Sequence, residues 1–249
     1  MNTLIDSIKN NTYESNKLKF KDKRYIKELF EALKTNYYIT FLDLSRNDLG
    51  EEEMILLGEV LKVNEFITSL NLSKNNIREE QMRYLSEAFK TNNYITVLDL
   101  DGNNIKDKGM KVLSEALKSN SSITSLDLGN NDLQKEGIRY LSEALKLNEN
   151  ITSLDLSDND LTDTEIRYLS EALKTNSSIT SLDLGWNDII LDDNLTKEGI
   201  KYLSEALKTN SSITSLNLSH NKLKDEGIIK VLSEALQLNT TLTELSFNI

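Results

Sequence analysis

Residues 123–150 read ITSLDLGNNDLQKEGIRYLSEALKLNEN. Leu126 and Leu128 alternate with Ser125 and Asp127, the period of two expected of a short strand with one buried face. A Gly-Asn-Asn-Asp turn centred on Asn131 follows. An asparagine side chain offers two amide donors and a carbonyl acceptor, so it can pair backbone groups that the bend would otherwise bury unpaired. Ile138, Leu141, Ala144 and Leu145 then recur at helical spacing. Gly137 precedes this apolar stripe, where a missing side chain lets backbone approach backbone. The stretch therefore encodes strand, asparagine turn, helix and return loop.

The same unit begins at Ile39, Ile67, Ile95, Ile123, Ile151, Ile179 and Ile213, and restarts as L-T-E-L-S-F at Leu242. The first five steps are 28 residues, and the last two are 34 and 29. One unit cannot bury its strand leucines alone, so the units must stack. The predicted fold is an α/β solenoid, a horseshoe with a parallel inner β-sheet and outer α-helices. Seven repeats span residues 39–241, residues 1–38 form a helical N-terminal cap, and residues 242–249 form a terminal strand or partial eighth repeat. The ladder asparagines of the other units are Asn47, Asn75, Asn103, Asn159, Asn187 and Asn221.

The pattern L-x-x-L-x-L-x-x-N-x-L, with its helix ending in L-S-E-A-L, resembles the ribonuclease-inhibitor-like class of leucine-rich repeats over about four-fifths of the chain. Proteins of that class share a role as protein-binding scaffolds. They include ribonuclease inhibitors, the Ran GTPase-activating protein and the sensing regions of nucleotide-binding immune receptors. The resemblance implies a protein partner and no catalysis by the chain itself. It leaves two alternatives open, a regulator of a small GTPase and a detached sensing region of a larger system. The chain differs from ribonuclease inhibitors in having no cysteine, and no G-x-x-x-x-G-K-[ST] motif for nucleotide phosphates occurs.

Composition narrows the function further. The 249 residues contain 29 basic and 40 acidic side chains, a net charge of −11, which disfavours a binder of duplex nucleic acid. The absence of Cys excludes disulfides, thiol nucleophiles and cysteine-ligated metals. No apolar run approaches a membrane span, and MNTLIDSIKNN lacks the apolar core of a signal peptide. The expected setting is cytoplasmic and the expected state a monomer, without cofactor or metal.

The two ends differ from the array. Residues 1–36 carry eight basic and five acidic side chains, net +3, leaving −14 on the rest. Leu18, Phe20, Tyr25, Ile26, Leu29 and Leu33 suit one amphipathic helix or two that cap the first repeat. A basic arm touching a partner is the alternative. At the other end Phe247 and Ile249 have no following helix to cover them. That strand is either itself the cap, the end of a truncated product, or an edge that pairs with another chain.

Function on such a fold lies in the side chains pointing out of the strands and turns. Asp99, Asp127, Asp155 and Asp183 should stack about 4.8 Å apart. Like charges so placed repel, which raises their pKa values or recruits a cation. They form an acidic trough for a partner with a basic surface, or simply a wet face. The position before each ladder asparagine runs Arg46, Lys74, Gly102, Asn130, Asp158, Trp186, His220. It ends on the only Trp and the only His of the chain. Beside Trp186 the seventh unit start is delayed by a six-residue insertion. The expected hot spot is Trp186 with Asp158, Asp160, Asp188, His220 and the loop 190–195. The plain alternative folds Trp186 against Ile190 or Leu191.

Other chemistry fits poorly. A Ser-His-Asp site would need Ser219, His220 and Asp188, yet adjacent strand residues point apart. The aspartate row has the spacing of a retaining glycosidase pair but no aromatic cleft. Residues 188–194 hold three carboxylates at the wrong spacing for a calcium loop. Asn-x-Ser/Thr triplets at Asn120, Asn176 and Asn210 are by-products of the repeat. On the outer face, Arg83, Lys111, Arg139, Arg167, Lys201 and Lys230 run beside Glu87, Glu115, Glu143, Glu171, Glu205 and Glu234 as expected i,i+4 ion pairs. Tyr84, Tyr140, Tyr168 and Tyr202 are expected to form a half-buried packing column.

Overall fold

A computed structural model describes residues 2–187, 198–221, 223 and 226–247. Among these described residues, nine short parallel strands form one sheet in chain order: β1 (Lys17–Lys19), β2 (Phe41–Asp43), β3 (Ser69–Asn71), β4 (Val97–Asp99), β5 (Ser125–Asp127), β6 (Ser153–Asp155), β7 (Ser181–Asp183), β8 (Ser215–Asn217) and β9 (Glu244–Ser246). The connecting helices are α2 (Ile26–Leu33), α3 (Glu51–Val63), α4 (Glu79–Phe89), α5 (Lys106–Leu117), α6 (Lys135–Leu145), α7 (Asp163–Leu173), α8 (Glu198–Leu207) and α9 (Glu226–Leu238), with α1 (Asn2–Lys9) ahead of β1. The chain is an α/β solenoid, as the repeat requires.

Register is unbroken. Leu42, Leu70, Leu98, Leu126, Leu154, Leu182, Leu216 and Leu245 stand opposite one another across the sheet. In the unit starting at Ile123, the residues Ile123, Leu126, Leu128, Leu133, Ile138, Leu141, Ala144 and Leu145 are all essentially inaccessible. Each buried leucine or isoleucine contributes about 2 kcal/mol relative to exposure. That surface exists only because the neighbouring units cover it.

Asparagine fixes both bends. The Asn159 side chain donates to the carbonyls of Leu128 and Leu156, at 3.0 and 3.1 Å. Its oxygen accepts from the backbone N–H of Asn131 and Leu133, at 3.0 and 3.2 Å. One side chain thus ties two units together. A second row does the same at the return loop. Asn148 donates to the carbonyls of Leu117 and Asn120, at 2.8 and 3.0 Å, and accepts from the N–H of Asn150 and Ile151, at 3.0 and 2.9 Å. Leu117 ends α5, so the row satisfies carbonyls that a helix end leaves unpaired. Asn36, Asn64, Asn92, Asn120, Asn176 and Asn210 occupy the same place and are buried. The triplets at Asn120, Asn176 and Asn210 therefore have their amide nitrogens committed inside the fold.

Helices pack closely through Gly137, which receives the preceding helix. Asp107 Oδ1 accepts the N–H groups of Gln134 and Gly137, at 2.9 and 2.8 Å. A Cβ at Gly137 would sit 2.6 Å from that oxygen. Asp163 meets Gly199 in the same way, at 2.8 Å.

The N-terminal segment differs from the expected helices. Lys17-Leu18-Lys19 is strand β1, paired with β2, and Leu18 and Phe20 enter the core from it. Strand geometry wins because Leu18 is flanked by two lysines that stay exposed on the sheet edge, where charge discourages further pairing. The helical residues are Ile26, Leu29, Phe30 and Leu33 of α2.

Asn148→Ala should destabilise the chain by about 3 kcal/mol, because four backbone groups lose their partner inside the fold. The exposed neighbour Glu149→Ala should stay within about 0.5 kcal/mol. Urea unfolding followed by circular dichroism checks both.

Candidate functional site

Asp99, Asp127, Asp155 and Asp183 stand in register on consecutive strands. Their side chains are half-buried and turn back onto the chain rather than standing free. Each Oδ1 accepts the N–H two residues on, from Asp101 (3.0 Å), Gly129 (2.9 Å), Ser157 (2.8 Å) and Gly185 (2.8 Å). Asn71 and Asn217 make the same bond to Ser73 and Ser219, both at 2.9 Å. The expectation of outward, open carboxylates is corrected to this extent: the position caps the turn, a local bond that Asp and Asn make readily.

Burial pushes three of these acids up, and the neighbouring carboxylates add to it. Asp99 and Asp155 are raised, and Asp127 is pushed to about 7. Asp101 contributes to this field, although its repeat position is otherwise Ser or Gly. At the two ends of the row the charge is compensated. Burial raises Asp43, but bonds from Lys19 and Ser45 outweigh it, so its carboxyl lies below the usual range. Asn217 donates to both oxygens of Asp183, at 3.0 and 2.9 Å. Among the described residues, no group of three or more His, Cys, Asp or Glu side chains is placed to hold a metal ion.

The turn row has a backbone constraint that the residue pattern did not disclose. Arg46, Lys74, Gly102, Asn130, Asp158, Trp186 and His220 all adopt left-handed φ values between 50° and 63°. Asn or Gly takes this conformation easily, whereas a bulky residue there is strained. Trp186 sits at φ 57° with its N–H bound to the Ser219 carbonyl at 2.9 Å. Its indole is 60% exposed and stacks on the His220 ring, with centroids 3.7 Å apart and planes 14° apart. Asp158 and Asp160 are exposed beside it, both at φ 54°. The structure thus brings together Asp158, Asp160, Trp186 and His220. Asp188, the loop 190–195 and the suggested contacts to Ile190 or Leu191 lie outside the described residues.

Ser219 and His220 do not form a nucleophile pair. The Ser219 hydroxyl donates to Asn217 Oδ1 at 2.6 Å, while the imidazole lies on Trp186.

The pattern described as "Leucine Rich repeat" matches residues 63–80, 91–114, 119–142, 147–164, 175–192 and 209–232, just over half of the chain. The chain belongs to the leucine-rich-repeat family. Among solved structures it is similar to the leiomodin-1 actin-binding site 2 domain, at 25% identity over 55% of this chain and 77% of that one, with a TM-score of 0.49. It is also similar to the tropomodulin C-terminal domain of Caenorhabditis elegans, at 20% identity over 56% of this chain and 83% of that one, again with a TM-score of 0.49. A search of curated protein sequences finds no match. No helix among the described residues of this leucine-rich-repeat protein is long and apolar enough to cross a membrane.

On the outer face, Arg139 makes the expected pair with Glu143, at 2.6 Å. Elsewhere the glutamates choose the lysine three residues on: Glu87–Lys90, Glu115–Lys118, Glu171–Lys174 and Glu205–Lys208. An acid placed N-terminal to its base is the better helix arrangement, because it also suits the helix dipole. Sequence reading also passed over the return-loop side chains. Tyr37, Tyr38, Phe66 and Tyr94 are exposed there, at positions that hold small polar residues in later units.

Asp127 offers a direct test of the burial argument. Its folded pKa lies above its unfolded value, so its contribution to stability is full below about pH 4 and is lost as pH rises through about 7. Asp127→Asn keeps the turn bond, as Asn71 and Asn217 do. The variant should flatten the loss of stability across that window and unfold at higher temperature at pH 8. Thermal melts at several pH values measure this.

Proposed function

We propose that this protein is a protein-binding scaffold of the ribonuclease-inhibitor-like type, engaging a partner through the acidic open face of its sheet and the Trp186 rim. The observation that carries the reading is the Trp186–His220 stack. Two aromatic rings occupy left-handed positions side by side, one of them mostly exposed. A bulky side chain in that conformation costs on the order of 1 kcal/mol or more, a cost that Asn130 avoids two places earlier in the row. An exposed tryptophan on a rigid turn gives a partner a large apolar area whose ordering is already complete. Asp158 and Asp160 flank it with negative charge, and the array's −14 would steer a basic partner toward the same face. The helix in every repeat and the L-S-E-A-L ending support the subclass.

Trp186→Asn separates fold from function. The variant should be as stable as the parent or more so, by up to about 1 kcal/mol, because Asn tolerates left-handed φ. Its partner affinity should fall at least about tenfold. Capture from a lysate of the source cells, at low and high salt, identifies the partner, and titration with the purified partner gives the affinities. A partner bound equally by parent and variant would contradict the rim as the binding site.

A further inference from the structure

The loops leading into the first three repeats carry side chains that the fold does not need. The residue before each strand-entry isoleucine is Tyr38, Phe66 and Tyr94, exposed by 43, 44 and 40%. Farther along, the same place holds Ser122, Asn150, Ser178 and Ser212. The structural duty of the position is met by its backbone. The N–H groups of Tyr38, Phe66 and Tyr94 donate to Asn36, Asn64 and Asn92, and those of Ser122 and Ser178 donate to Asn120 and Asn176 in the same way. The three rings therefore project from equivalent points on successive rungs. Tyr37 meets the Phe66 ring edge-on, with centroids 6.1 Å apart, and Val63 extends the apolar surface. Glu65 is exposed beside Phe66, and its negative charge acts on the Tyr94 hydroxyl.

We infer that this aromatic column is a second docking surface, and that its occupant is a proline-rich segment in the polyproline II conformation carrying a basic residue. The dimensions agree. Rungs lie about 4.8 Å apart, so Tyr38 and Tyr94 project about 9.6 Å from each other. A polyproline II helix repeats every three residues, about 9.3 Å, so residues i and i+3 of such a segment present the same face to Tyr38 and Tyr94 while the chain between crosses Phe66. A single file of rings suits a thin extended ligand better than an α-helix about 10 Å across. Both partners are already ordered, so little entropy is lost on binding. Glu65 supplies the carboxylate for an arginine or lysine of the segment. This surface is independent of the Trp186 rim.

Isothermal titration of the full chain tests it, with a synthetic proline-rich peptide bearing one arginine as the probe. A peptide with glycine in place of every proline is the control. The parent should bind the first saturably and the second not at all. The double variant Phe66→Ser, Tyr94→Ser should weaken binding at least about tenfold with its circular dichroism unchanged, since serine fills the same place in later repeats. Glu65→Lys should weaken binding of the arginine peptide. Trp186→Ala should leave it unchanged. No heat with the proline-rich peptide would overturn the inference, as would binding that survives the double variant. Binding lost only in Trp186→Ala would move the peptide to the other rim and overturn it too. Self-association in sedimentation velocity that the double variant abolishes, with no peptide binding, would make a second copy of the chain the occupant and equally overturn it.

Discussion

The side-chain amide of asparagine, used twice in each repeat, is the interaction on which everything else depends. Leucine burial drives the stacking, but it is non-directional and would tolerate many arrangements. The amide does not. Asn159 joins carbonyls from its own unit and the one before to N–H groups of the preceding turn, and Asn148 does the equivalent at the end of a helix. Aspartate has no donor and serine has too few groups, so neither can replace it. Because both bends are tied across units, each rung sits in register with the next, and side chains at equivalent positions line up in columns.

Those columns set what the surface can do. The turn that the ladder asparagine holds closed requires left-handed backbone at the preceding residue, so that position favours small or flexible side chains. The same turn draws the strand aspartates inward, where burial raises the pKa values of Asp99, Asp127 and Asp155. The acidic row therefore serves the fold first. Departures from the best structural choice stand out against this background. Trp186 is one such departure, and the aromatic residues of the early return loops are another.

The fold was readable because the unit is repeated so faithfully that strand, turn and helix can be checked seven times over. Less was readable of the site. Alternation placed the aspartates on the open face but said nothing about a short side chain curling back to its own backbone two residues on. The second asparagine row lay in plain sight at Asn148 and its equivalents, disguised at Asn120, Asn176 and Asn210 as Asn-x-Ser/Thr triplets. Strand β1 escaped because Lys17-Leu18-Lys19 lacks the repeat's signature and lies next to a run of helical spacing. The pairing of Glu with the later Lys follows from helix electrostatics and was available without coordinates. Trp186 was noticed for its rarity, whereas its neighbour in space, His220, lies 34 residues away and needed the register to place it.

Native-state hydrogen exchange on the unmodified chain tests the central claim most directly. If side-chain amides lock both bends, the N–H groups of Asn131, Leu133, Asn150 and Ile151 should exchange as slowly as those of strands β5 and β6, although all four lie outside regular structure. Exchange at these positions as fast as at the exposed loop residue Glu149, with the strands still protected, would show that leucine burial alone sets the register and that the asparagine rows are incidental.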